Sequence, residues 1–133
     1  MELIKRRHSV TNLQAHLVFT TKYRRKVFTG KHIEQLRWAF SMACKKLDCE
    51  ILEMDGEQDH VHLLIAYPPK LAVSVIVNNL KATASRRLRE LNPDLKMISK
   101  NGALWSRSYF ACSVGGAPIE VLKQYIEQQK TPE

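Results

Sequence analysis

Cysteine is scarce in this 133-residue chain, and its placement excludes more than its number does. Cys44, Cys49 and Cys112 form no C-x-x-C pair. An odd count without metal-type spacing points to reduced thiols and a cytoplasmic protein. Cys44 falls on a helical apolar stripe and Cys112 in a strand, so both read as small core residues rather than nucleophiles. Long apolar runs are missing, and no stretch approaches a membrane span. Residues Met1 to His8 are too few and too charged for a signal sequence. No internal repeat, low-complexity segment or linker interrupts the sequence, so residues 1–133 read as one domain. There is no P-loop motif, and no cluster of three carboxylates stands out.

Acidic side chains are outnumbered. Thirteen Asp and Glu face 21 Lys and Arg, for a formal net charge of +8. In so small a domain that balance points to a polyanion, and nucleic acid is favoured over a membrane surface. A hydrophobic fraction of 44% is enough for a real core.

The periodicities predict an α+β chain. Leu17, Val18 and Phe19 mark a first strand over 13–22. Apolar residues Ile33, Leu36, Phe40, Ala43, Cys44 and Leu47 recur at helical spacing over 31–47, after a Thr29-Gly30 start signal. A second strand runs from about Cys49 to Met54, with Asp55-Gly56 as the turn. A third covers about 58–66. A second helix spans about 71–91, with Val73, Ile76, Leu80, Ala84, Leu88 and Leu91 as its stripe, and Asn92-Pro93 stops it. Residues 94–104 read as a loop, and a fourth strand covers about 106–114. Gly115-Gly116 and then Pro118 precede a last helix, about 118–130. The order β-α-β-β-α-β-α is that of a ferredoxin-like split βαβ. Its antiparallel sheet carries two helices on one face and leaves the other for the last helix.

The third strand contains Asp59-His60-Val61-His62-Leu63-Leu64-Ile65. Strand side chains alternate, so Val61, Leu63 and Ile65 face a core while His60 and His62 share the opposite face. Paired imidazoles at that spacing can grip one metal ion. On the last helix Val121, Tyr125 and Gln129 are four apart and share a face. Tyr125 offers a phenolic nucleophile, and Gln129 a carbonyl ligand one turn on. Each signal is weak alone. Histidines on a half-buried strand are more often structural than ligating, and Tyr125 could be an interface aromatic. Together, on a basic chain, they are fairly specific.

Asp59-His60-Val61-His62-Leu63-Leu64 resembles the His-hydrophobic-His motif of HUH nucleases. Thr21-Lys22-Tyr23-Arg24-Arg25, the Lys81–Arg87 stretch of the second helix, Trp105, and Tyr125-Ile126-Glu127-Gln128-Gln129 extend the likeness. The chain is similar, nearly throughout, to the small single-tyrosine transposases of insertion-sequence-200-like elements. REP-associated tyrosine transposases share these motifs. The resemblance implies Tyr125 as nucleophile and His60, His62 and Gln129 as metal ligands, with Gln128 the adjacent alternative to Gln129. It implies Mg2+ or Mn2+, although imidazole alone would equally suit zinc or iron. It further implies single-stranded DNA with a hairpin at each element end, a 5′-phosphotyrosine intermediate, and a homodimer whose sites join one subunit's histidines to the other's tyrosine helix. Gly115-Gly116 would serve as the joint for that exchange.

The basic residues have two readings. Lys22, Arg24, Arg25 and Lys26 at the first strand's exit could be a solvated turn, and Lys81, Arg86, Arg87 and Arg89 a solvated side of the second helix. With this net charge, phosphate contact is favoured for some of them. Tyr23 or Trp105 could stack on an unpaired base, with Trp105 equally suited to the core. His16 shares a strand face with Gln14 and Thr20, and ligand, outer-shell and structural roles are all open. A non-catalytic module on the same sheet is the competing class, but RNA-recognition modules present aromatics where this sheet presents histidines. A domesticated nuclease acting on host palindromes is the nearer alternative.

Overall fold

A computed structural model describes residues 3–97, 103–113, 124, 126 and 127. A short hairpin comes first, β1 (Ile4–Arg6) and β2 (Ser9–Thr11), pairing antiparallel. The sequence reading had no strand there, because three-residue strands are too short for a period to emerge. Arg6 fastens the hairpin to the body through Asp48, Nε to Oδ2 at 2.9 Å.

The principal elements follow as β3 (Gln14–Thr20), α1 (Gly30–Lys46), β4 (Glu50–Gly56), β5 (His60–Ala66), α2 (Val73–Leu91) and β6 (Phe110–Ser113). The sheet order is β4-β5-β3-β6, antiparallel throughout. This is the split βαβ order expected from the sequence. The two strands flanking the chain reversal lie side by side, and the first strand sits between the third and the fourth.

Both helices cover one face. Leu36, Ala39, Phe40, Ala43 and Cys44 of α1 and Ile76, Val77, Leu80, Ala84 and Leu88 of α2 are buried in one cluster. That cluster includes Ala15, Leu17 and Phe19 of β3 and Val61, Leu63 and Ile65 of β5. Burial of each large aliphatic side chain contributes about 1.5–3 kcal/mol, so the alternation in β5 fixes which way its histidines point. Helix α1 starts at Thr29, whose backbone N–H donates to His32 Nδ1 at 3.0 Å. The imidazole takes the place a Glu has in a capping box.

Asp55-Gly56 is not the turn. Both residues remain in β4, paired with His62 and Val61, and the chain reverses over 57–59. A Cβ at Gly56 would lie 2.5 Å from Ile33 Cδ1, the far end of a flexible side chain that can move aside. The reversal is clamped to the exit of β3. The N–H groups of Val27 and Phe28 both donate to Gln58 O at 2.9 Å, and that of Thr21 to Asp59 O at 2.9 Å. The region expected as a loop after α2 begins with a 3-10 turn, Pro93–Met97. Of the predicted last helix, Gln124, Ile126 and Glu127 are described, and all three are helical. Gly115, Gly116, Pro118, Tyr125, Gln128 and Gln129 lie outside the described residues.

Candidate functional site

The register of β3 on β5 builds the site. His62 pairs with Val18, His60 with Thr20 and Leu64 with His16. Paired residues share a face. His16, His60 and His62 therefore stand together on the side of the sheet away from α1 and α2. All three are half-buried.

Each β5 histidine has a partner for one ring nitrogen. His60 Nδ1 lies 3.0 Å from Asp59 Oδ1. A carboxylate there draws the proton to Nδ1 and leaves the Nε2 lone pair for a ligand. His62 Nε2 lies 2.9 Å from His16 Nδ1, and the two rings stack with centroids 5.1 Å apart. Burial, and then the neighbouring His16, push the His62 pKa below the ordinary histidine value. Both effects favour the neutral imidazole, the form a metal needs. Among the described residues no group of three or more His, Cys, Asp and Glu could hold a metal ion. The donors present, two imidazoles on one face, fit a divalent ion that takes a further ligand from elsewhere.

Asp59 is doubly engaged. Arg24 Nε and Nη2 lie 3.0 and 2.9 Å from its Oδ2. Burial acts to raise the Asp59 pKa, but the hydrogen bonds from His60 and Arg24 outweigh it and hold the carboxyl below its usual value. Arg24 Nη1 also donates to the Ile126 carbonyl, the residue after Tyr125. One guanidinium thus touches both Asp59, at the entry to β5, and the backbone of Ile126.

The backbone that aims Arg24 is unusual. Tyr23 and Arg24 have φ of 60° and 54°. Two successive left-handed non-glycine residues cost roughly 1–2 kcal/mol each. The turn is held by Thr21, whose hydroxyl donates to Arg25 O at 2.7 Å. It turns Tyr23 outward, 43% exposed. Lys22 Nζ and Arg25 Cζ lie 5.6 and 5.5 Å from its ring centroid.

The second basic group is less uniform than its sequence suggests. Lys81 does not project from an exposed side of α2. Its ammonium donates to Ser106 O at 2.8 Å and Ser108 O at 3.0 Å, and lies 5.6 Å from the Phe19 and Tyr109 rings. The helical period predicts Lys81 on the exposed side of α2, and the Ser106 and Ser108 carbonyls draw it over the core edge instead. Arg86 is exposed, and Arg87 pairs with Glu90 at 3.0 Å. Trp105 is core, packed against Phe19, Phe28 and Phe40. Burial pushes the Cys44 and Cys49 thiols up to about 12 and about 11, the marks of inert packing groups. The Asp59–Arg24 link and the His16–His62 bond escaped sequence reading. Asp59 beside His60 was visible, but nothing in the sequence ties position 24 to position 59.

A sheet with clustered imidazoles beside a basic, strained turn defines a polar site suited to an anionic ligand. Residues 9–129 match the family model described as "Transposase IS200 like". The chain is 33% identical over 129 residues to the transposase for insertion sequence element IS200 of Salmonella typhimurium, covering 95% of this chain and 85% of that protein. It is 32% identical over 133 residues to the ISDra2 transposase TnpA of Deinococcus radiodurans, covering 100% and 95%. A crystal structure of a candidate transposase from Deinococcus radiodurans R1 superposes with a TM-score of 0.87 at 30% identity, covering 96% of this chain and 98% of that one. A REP-associated tyrosine transposase bound to a REP hairpin shares the fold, with a TM-score of 0.58, 14% identity and coverage of 93% and 68%. The chain belongs to the IS200-like transposase family. Such a protein cleaves and rejoins DNA. No helix among the described residues is long and apolar enough to cross a membrane.

Proposed function

We propose that this protein is a metal-dependent HUH transposase, acting as one domain, that cuts and rejoins single-stranded DNA through Tyr125. The observation that carries the reading is the pair His60 and His62 on one sheet face, with His60 Nδ1 held by Asp59 so that Nε2 is left to ligate. Gln129 is the third ligand by its spacing from Tyr125. Mg2+ or Mn2+ held there would offset the charge that develops on the scissile phosphate oxygens.

The chain's own groups do the rest. The Tyr125 phenolate attacks phosphorus in line, forming a 5′-phosphotyrosine as the bond to the 3′ oxygen breaks. The phenol gives up a proton and the departing 3′ oxygen gains one. One phosphodiester replaces another, so a 3′-hydroxyl from a second DNA end can reverse the step and join new ends. Tyr23, exposed between Lys22 and Arg25, suits an unpaired base with phosphates on either side. Arg86 and Arg87 would add charge for a hairpin at the element end. The active unit is a homodimer in the cytoplasm, with the tyrosine helix of one subunit completing the histidine site of the other.

The test is an adduct assay. Single-stranded element-end DNA and Mn2+ should yield a protein–DNA adduct that survives a denaturing gel. Tyr125→Phe should abolish it, and His60→Ala should abolish it while hairpin binding persists. An adduct formed by Tyr125→Phe would overturn the assignment.

A further inference from the structure

We infer that Arg24 is a positioning residue that acts through Asp59 to hold the His60 ring and its proton. The inference rests on the reading of His60 as a ligand, and it stands whichever subunit supplies the tyrosine. Asp59 comes immediately before β5. Strand alternation would send its side chain and that of His60 to opposite faces. The carboxylate nevertheless reaches the imidazole, with Oδ1 at 3.0 Å from His60 Nδ1. The group that holds it there is the Arg24 fork, whose Nε and Nη2 meet Oδ2 at 3.0 and 2.9 Å. The backbone is fixed as well, since Asp59 O accepts from Thr21 N–H at 2.9 Å.

A loose carboxylate beside two imidazoles would be a hard oxygen donor in its own right. With Oδ2 engaged by the guanidinium and Oδ1 by the imidazole, Asp59 is an orienting partner instead. Such partners set which ring nitrogen carries the proton and which is left to ligate. The surroundings favour this role for Arg24 over phosphate contact. The Arg24 and Asp59 side chains are only 12% and 18% exposed, so solvent screens the pair weakly. Lys22 and Arg25 frame the outward Tyr23 ring, whereas Arg24, with its left-handed backbone, meets Asp59.

Arg24→Gln tests the role in two measurements without DNA, so a phosphate contact by Arg24 would move neither. The first is nitrogen-15 NMR of the metal-free protein at about pH 8, above the ordinary histidine pKa. The His60 proton should sit on Nδ1 in the unaltered protein and be shared with Nε2 in Arg24→Gln. The second is a Mn2+ titration followed by electron paramagnetic resonance, in which affinity should fall about 10- to 100-fold. In an Asp59→Ala background the same change should move affinity less than about twofold, because its effect passes through that carboxylate. Should Arg24→Gln fail to fold, Arg24→Lys replaces it. The ammonium keeps the charge but not the planar fork, and the proton and the affinity should shift the same way. An Arg24 variant with the proton still on Nδ1 and unchanged affinity would overturn the inference. Tighter Mn2+ binding would too, since Asp59 would then be a ligand that Arg24 withholds. An equal loss in the Asp59→Ala background would mean that Arg24 acts by another route, and would also overturn it. An unaltered protein that binds no Mn2+ defeats the ligand reading, while the His60 proton still reports whether Arg24 acts on that ring.

Discussion

Removing the His16 imidazole should weaken metal binding without touching either β5 ligand candidate. His62 has to present a lone pair, and its Nε2 already meets His16 Nδ1 at 2.9 Å. With the proton on His62 Nε2, the ring donates to His16 and keeps its Nδ1 lone pair for the ion. The stack, 5.1 Å between centroids at 17°, fixes the plane of the ring as well. Outer partners of this kind are worth roughly 10- to 100-fold in metal affinity, or about 1.4–2.7 kcal/mol. His16→Ala loses both the acceptor and the stack, so it should show that full loss. His16→Asn keeps an acceptor near the Nδ1 position and should recover most of it. The assay is a Mn2+ titration followed by electron paramagnetic resonance, without DNA, alongside thermal melting to confirm the fold. An affinity within twofold of the unaltered protein would refute the orienting role. A tighter site in His16→Ala would refute it in the other direction, because His16 would then be competing with the ion for His62.

Two further outcomes follow from the proposed chemistry. The oligonucleotide should be cut when single-stranded and at least tenfold more slowly as a perfect duplex; equal rates would count against the mechanism. Mixed dimers of Tyr125→Phe and His60→Ala subunits should regain part of the cleavage each lacks, since one composite site then joins intact histidines to an intact tyrosine. Inactive mixed dimers would mean that each site is built within one subunit.

The elements that sequence exposed best are those whose burial is periodic. The stripe of α1 and that of α2 were readable because Leu36, Phe40 and Ala43, and Ile76, Leu80 and Ala84, must all reach one cluster. The facing of His60 and His62 was readable for the same reason, since Val61, Leu63 and Ile65 are fully buried opposite them. Local turn chemistry misled at Asp55-Gly56. That dipeptide carries the strongest short hairpin signal, yet both of its residues stay paired within β4. Lys81 was placed by helical phase, which says nothing of carbonyls 25 residues away. The Arg24–Asp59 pair spans 35 residues and the His16–His62 pair 46. Such pairs belong to sheet register, which a single sequence does not display.

The basic turn after β3 aims Arg24 inward at Asp59 and turns Tyr23 outward. The proposed DNA contact needs cations and an aromatic in solvent, whereas the ion pair with Asp59 needs a cation held against fixed acceptors. Regular strand geometry would send Tyr23 and Arg25 to one face and Arg24 to the other, but it would also carry all three away from Asp59 as the strand extended. The left-handed pair at Tyr23 and Arg24 instead folds the chain back after Thr21, where Thr21 N–H still donates to Asp59 O at 2.9 Å. The guanidinium is thereby kept at the start of β5 while the phenol ring stays outside. A cost of about 1–2 kcal/mol per strained residue is comparable with the 1.5–3 kcal/mol of a hydrogen bond to a charged group, and Arg24 makes several. The strain is thus sustained by the contacts that Arg24 makes. Loosening those contacts should release the turn.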